Sequence, residues 1–337
     1  MSTPLLEVKD LRVSVGATPG SRPGAGGVEA VHGVSFSVGR GETVGLVGES
    51  GSGKTLACRS ILGVLAPGCR IDSGSVDFDG TDLLGLDRKG WDRVRGTRIA
   101  GVFQDPASYL DPSRTVGHQL SEQLRVKLGR SRREAHTEAV DLFASMGLFR
   151  PDRVYHQYPH ELSGGMVQRV LIATAVSCDP ELLIADEATT ALDVTVQAEV
   201  LELLTKLQAE RGLSILAVSH DLATIAALCD RVLVFYAGDL VEAGRTDEVL
   251  GSPAHPYTEA LLRVASVGDW GRRELEIIPG NPPAVGTRHT GCGFADRCAF
   301  AVDRCRDRPV DLVERDGRSV RCVRTDDVAL SGVRLSA

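Results

Sequence analysis

The octapeptide Gly48-Glu49-Ser50-Gly51-Ser52-Gly53-Lys54-Thr55 constrains this chain more than any other feature. It reads G-x-x-x-x-G-K-T, follows the apolar run Val44-Gly45-Leu46-Val47 and precedes a segment of helical character from Lys54 to about Leu65. A strand, a glycine-rich turn and a helix in that order make a phosphate-binding loop. Glycines at 48, 51 and 53 let successive backbone N–H groups converge on phosphate oxygens, and the helix N-terminus adds partial positive charge. Lys54 then reaches the outer phosphates and the Thr55 hydroxyl takes Mg²⁺, with Ser50 and Ser52 completing the cradle. A plain glycine-rich turn would account for neither the strand before it nor the helix after it.

The 337 residues suffice for one large domain with an appendage or for two modest domains. Strand-like segments at 5–9 and 34–38 flank a Gly/Pro/Ser-rich stretch, 16–27, that reads as a surface loop. From Val44 onward strands and helices alternate, the pattern of an α/β core with a parallel sheet. Mainly helical patterns from about 107 to 175, notably 132–147 and 166–178, interrupt it as a helical insertion. The alternation resumes at Leu182-Leu183-Ile184-Ala185, with a helix at 194–211, strands at 214–219, 231–236 and 239–243, and a helix at 256–266. Beyond 267 the chain is rich in Pro, Gly and Arg, has little periodicity, and needs some staple to order it.

Asp186 and Glu187 close the apolar strand at 182–185. There Asp186 is placed to coordinate Mg²⁺ and Glu187 to polarise a water aimed at a γ-phosphate. An acidic helix cap is the competing reading, and the pair's place downstream of a phosphate loop disfavours it. A net charge of −7 argues against a nucleic-acid grip, which needs a basic face. No apolar run approaches the ~20 residues of a membrane-spanning helix. The start, Met1 to Glu7, lacks the basic-then-apolar pattern of a secretion signal, so a cytosolic location is expected.

Between the two halves of the site lies Leu162-Ser163-Gly164-Gly165-Met166-Val167-Gln168-Arg169, which resembles the signature sequence of ATP-binding cassette (ABC) ATPases. Gln104 matches that family's Q-loop glutamine, Ala191-Leu192-Asp193 its D-loop and His220 its switch histidine. The resemblance implies an ABC-type nucleotide-binding domain over 1–255: an α/β phosphate-loop NTPase core with a mixed sheet and a helical subdomain at about 107–175. It also implies ATP and Mg²⁺ as ligands, with Thr55 and Gln104 on the metal, Glu187 as general base and His220 orienting the γ-phosphate and water. Ser163, Gly164, Gly165 and Gln168 would contact ATP held by a second cassette, with Asp193 in the D-loop. Two positions depart from the pattern: Val15 stands where an aromatic usually stacks on adenine, and Ala188 where proline commonly follows the glutamate.

Longer strings narrow the branch. Phe103 to Pro112, Tyr158 to Met166, His255-Pro256-Tyr257-Thr258, Ile278 to Pro283 and Gly291 to Cys298 resemble the ATPase subunits of dipeptide/oligopeptide and nickel permeases, and the Met166 form of the signature looks like the first of their two ATPases. The resemblance implies an ATPase subunit of a bacterial peptide importer at the cytoplasmic face of the membrane. Its partners would be a different ATPase chain, two integral membrane permeases and an extracytoplasmic substrate-binding protein, without nucleic acid. A nickel or other small-solute importer is the alternative cargo, and a soluble ABC ATPase outside transport the weaker class.

Of eight cysteines, Cys58, Cys69, Cys178 and Cys229 are scattered singly, whereas Cys292, Cys298, Cys305 and Cys322 cluster as C-x5-C-x6-C-x16-C. In a reducing compartment such a cluster favours metal over disulfides. The spacing lacks the paired knuckles of zinc sites and suits a cage fed from separate loops, while zinc and free thiols stay open. The family resemblance implies a [4Fe–4S] cluster in a Cys-rich C-terminal extension, 256–337, of oligopeptide-transporter type.

Overall fold

Leu6, Val8, Leu11 and Val13 are buried on one face of the strand Leu6–Val15, which pairs antiparallel with Val28–Val38. Val8 lies opposite Phe36 and Val13 opposite Val31, and the other edge pairs with Arg70–Phe78. Both strands outrun the 5–9 and 34–38 expected from sequence. The alternation slips at Asp10, which takes a left-handed backbone (φ 45°) in an irregularity between Val8 and Leu11, and that phase shift masks the continuing strand.

The structure is a computed structural model that describes residues 3–17, 27–103, 106–187, 193–265, 277–287, 289–315 and 317–332. The chain forms two units, Met1–Gly85 with Ala217–Ala337, and Leu86–Leu216.

In the first unit a second, mixed sheet carries the phosphate loop. All five residues of Thr43–Val47 are buried, as in a strand covered on both faces. This strand runs parallel to Arg231–Tyr236, with Leu46 opposite Leu233, and Arg231–Tyr236 pairs antiparallel with Asp239–Arg245. Two three-residue strands from the tail, Val313–Arg315 and Arg318–Val320, continue the sheet, with Val320 opposite Glu242. An ion pair clips them there. Glu242 is 0% exposed and accepts from the N–H groups of Ala254 (2.8 Å) and His255 (3.0 Å) and from Arg318 Nη2 (2.6 Å). The charge is buried but fully hydrogen-bonded, the condition under which a buried carboxylate is tolerated.

In the second unit Ile99–Val102 and Leu182–Asp186 pair in parallel, Ala100 opposite Leu183. Where sequence predicts the helical insertion, the helices Val116–Leu128, Arg132–Ser145, Pro151–Tyr155 and Gly164–Val176 form. Local chemistry sets their ends. Ser131 and Glu134 make a capping box, Pro151 opens the next helix, and Gly129 stops its own in a left-handed conformation (φ 69°). Leu120, Leu124, Ala135, Ala139 and Phe143 bury their faces in this unit's core. Among the described residues no helix is long and apolar enough to cross a membrane.

Candidate nucleotide site

The strand Thr43–Val47 delivers the chain into the loop, and the helix Lys54–Ile61 receives it. Gly48, Gly51 and Gly53 have φ of 145°, 79° and 101°, conformations open to glycine without strain. Gly48 is held by a close approach as well: a Cβ there would stand 2.1 Å from the Phe235 carbonyl oxygen. Gly53 caps the helix with no side chain of its own, which leaves an anion-favouring terminus. Lys54 is 5% exposed, and its Nζ donates to the carbonyls of Gly48 (2.8 Å) and Glu49 (2.9 Å) and to Ser52 Oγ (3.2 Å). One positive charge therefore sits inside the curl of the loop. Its neighbours fix that curl. Gly238 N–H donates to the Ser52 carbonyl (3.0 Å), and Glu49 N–H donates to the Tyr257 hydroxyl (2.8 Å). Burial pushes the Tyr257 hydroxyl above its ordinary range, so it stays protonated. Ser219 N–H donates to the Leu46 carbonyl (3.1 Å), so the exposed His220 follows directly on a bond to the loop's own strand.

In the second unit Asp186 ends Leu182–Asp186 at 2% exposure, and Glu187 follows with a left-handed backbone (φ 52°). Such a conformation is uncommon outside glycine and recurs at functional turns. Ser163 caps Gly164–Val176 by accepting from Met166 N–H (3.4 Å), and Ser163 and Gly164 are exposed at the helix start. Gly165 has a packing role: a Cβ there would meet Val196 Cγ1 at 2.6 Å. Val196 belongs to the helix Val194–Arg211, whose cap is Asp193, accepting from Val196 N–H (3.0 Å). Gly165 thus packs on the helix that Asp193 caps. Gln168, expected beside them as a contact to a companion's nucleotide, is instead 0% exposed. By helical spacing it shares a buried face with Ile172 and Ala175, and its amide has no hydrogen-bond partner among the described residues. Gln104, Ala188, Ala191 and Leu192 lie outside the described residues.

The four tail cysteines converge. Cys292, Cys298, Cys305 and Cys322 line one cavity of about 20 Å³ with Phe294 and His255, space for about one water. All are unbridged. Burial raises the Cys292 thiol to about 11 and lifts those of Cys298 and Cys322. Among the described residues no group of three or more His, Cys, Asp or Glu is set to hold a metal ion. The donors expected for a cluster are therefore gathered, without a ligand geometry.

Two family profiles match: "ABC transporter" over residues 31–190, and "Oligopeptide/dipeptide transporter, C-terminal region" over 241–305. The chain is 43% identical over 297 residues to the oligopeptide transport ATP-binding protein AppD of Bacillus subtilis, covering 88% of this chain and 90% of the relative. It is 41% identical over 320 residues to the dipeptide transport ATP-binding protein DppD of Haemophilus influenzae, covering 94% of each. A dimeric post-hydrolysis structure of the ATP-binding cassette MJ0796, bound to ADP and Pi, matches at 26% identity and TM-score 0.62, covering 72% of this chain and 98% of that one.

Proposed function

This chain belongs to the family of ABC transporter ATP-binding subunits, and we propose that it binds and hydrolyses ATP to drive an importer of dipeptides or oligopeptides. The observation that carries this reading is the phosphate loop with Lys54 held inside its curl, in a chain whose peptide-transport relatives match it nearly end to end. The donor set fits a nucleoside triphosphate. Backbone amides from 48 to 55, Ser50, Ser52 and Lys54 would hold the phosphates. Thr55, Asp186 and Gln104 would hold Mg²⁺, which when bound neutralises charge on the β- and γ-oxygens.

In this account Glu187 accepts a proton from the attacking water, and His220 orients that water and the γ-phosphate. The Ser163–Gly165 turn, exposed at Ser163 and Gly164, seals the triphosphate on a companion subunit's loop, and Asp193 caps the helix on which Gly165 packs. Because ATP binds the closed pair preferentially, its binding energy drives closure, and closure moves the membrane partners. We place the chain on the cytoplasmic face of the membrane with a second, different ATPase, two permeases and a binding protein. Reconstituted in liposomes, that assembly should hydrolyse ATP several-fold faster when the binding protein carries peptide. Stimulation by nickel or another small solute instead would move the cargo to that branch.

For the tail, we propose Cys292, Cys298, Cys305 and Cys322 as ligands of a [4Fe–4S] cluster. Their convergence on one cavity and the affinity of thiolates for such clusters support it. Anaerobically purified protein should contain about four irons and four acid-labile sulfides per chain. Iron-free protein, or protein with a single zinc, would remove the cluster from the account.

A further inference from the structure

The second residue of the phosphate loop is tied down from far away in sequence. Glu49 pairs through both carboxylate oxygens with Arg297, Nη1 to Oε2 at 2.6 Å and Nη2 to Oε1 at 3.0 Å, across 248 positions. Its backbone N–H is held by the Tyr257 hydroxyl across 208 positions. The arginine is equally fixed. Its side chain is 5% exposed, Nε donates to the Pro279 carbonyl (2.9 Å), and Nη1 also reaches the Tyr236 hydroxyl (3.3 Å). Arg297 is carried on the short segment between Cys292 and Cys298 that lines the cysteine cavity. Phe294 anchors that segment at 2% exposure, its ring 5.2 Å from that of Tyr236 and 5.3 Å from that of Tyr257. The same two tyrosines thus seat the cysteine-bearing segment, Tyr257 bonding Glu49 and Tyr236 bonding Arg297.

We propose that Arg297 is a positioning residue for ATP: it clamps Glu49, and so couples the cysteine-bearing segment of the extension to the affinity of the phosphate loop. Two physical effects act together. A loop with three positive-φ glycines has many alternative conformations, and a bidentate fork on one residue pre-organises it, lowering the ordering cost of binding. Glu49 also brings a negative charge into a loop meant for a triphosphate, and the guanidinium neutralises it. Coupling of this kind is reciprocal, so nucleotide should in turn quiet the segment 292–298.

The proposal rests on the nucleotide reading, and the test separates the two. Wild-type assembly without ATP turnover defeats the nucleotide reading, whatever Arg297 does. Given turnover, Arg297→Gln should raise KM for ATP about five- to thirtyfold with a smaller change in kcat, as expected for coupling between sites. Arg297→Lys, which keeps the charge and loses the fork, should fall between. Glu49→Gln combined with Arg297→Gln should be no worse than Arg297→Gln alone, since the stranded carboxylate is gone. An unchanged KM in Arg297→Gln, or single effects that multiply in the double variant, would overturn the clamp. If Arg297→Gln does not fold, hydrogen exchange on the wild-type protein decides: AMP-PNP should slow exchange across 292–298, and unaltered exchange there contradicts the coupling.

Discussion

Glu187→Gln is expected to keep ATP bound and to lose at least about 100-fold in turnover at this chain's own site, the range typical of removing a positioned general base. The amide has the size of the carboxylate and still orients a water, but it cannot take its proton. Glu187 suits the experiment because its left-handed backbone (φ 52°) directly follows the buried Asp186, so the side chain's origin is fixed by the strand Leu182–Asp186. With hydrolysis stopped, ATP should hold the assembly closed, since the nucleotide favours that state. Single-turnover phosphate release, with the companion's site disabled, measures the loss. Turnover within about threefold of wild type would assign proton transfer elsewhere, because a genuine base contributes far more than that.

The second large effect is expected at Gly48. A methyl there would lie 2.1 Å from the Phe235 carbonyl oxygen, and that neighbour is backbone in a paired strand, which cannot move aside cheaply. The φ of 145° adds strain for any residue with a Cβ. Gly48→Ala should therefore destabilise the first unit by roughly 3 kcal/mol or more and weaken ATP binding on the order of 100-fold. Gly51→Ala is the control. A Cβ there meets nothing within 4 Å, so only the left-handed backbone is penalised, by roughly 1–2 kcal/mol. Urea unfolding and equilibrium binding of a fluorescent ATP analogue separate the two variants. Equal effects would mean that the contact with Phe235 does not shape the loop.

Local chemistry explains why so much of this site is readable in sequence. A phosphate loop is contiguous, so strand, glycines, lysine and helix appear together between Val44 and Ile61. The helix read at 194–211 forms over Val194–Arg211, where the structure adds Asp193 as its cap and Gly212 as its stop. Residues whose roles depend on distant partners are hidden. Nothing near Glu49 signals Tyr257 or Arg297, though both stand inside strings that mark the peptide-transport branch. Gln168 reads as part of an exposed signature because the motif is linear, while the helix turns it inward on the buried face of Ile172 and Ala175. The tail strands Val313–Arg315 and Arg318–Val320 are too short to show alternation, and they exist through pairing with Asp239–Arg245 and the ion pair of Arg318 with Glu242. The cysteine cluster is visible as spacing, whereas its gathering on one cavity with Phe294 is a product of tertiary packing.

The central claim is that the triphosphate gripped by one subunit is sealed by the Ser163–Gly165 turn of the other. Photo-crosslinking with an ATP analogue reactive at the γ-phosphate tests it directly in the assembled pair. Label should appear at 163–165 of this chain, persist when Lys54 is replaced by alanine, and vanish when the companion's phosphate-loop lysine is replaced. Label at 163–165 that follows Lys54 instead, or none at all in nucleotide-loaded assembly, would contradict the account.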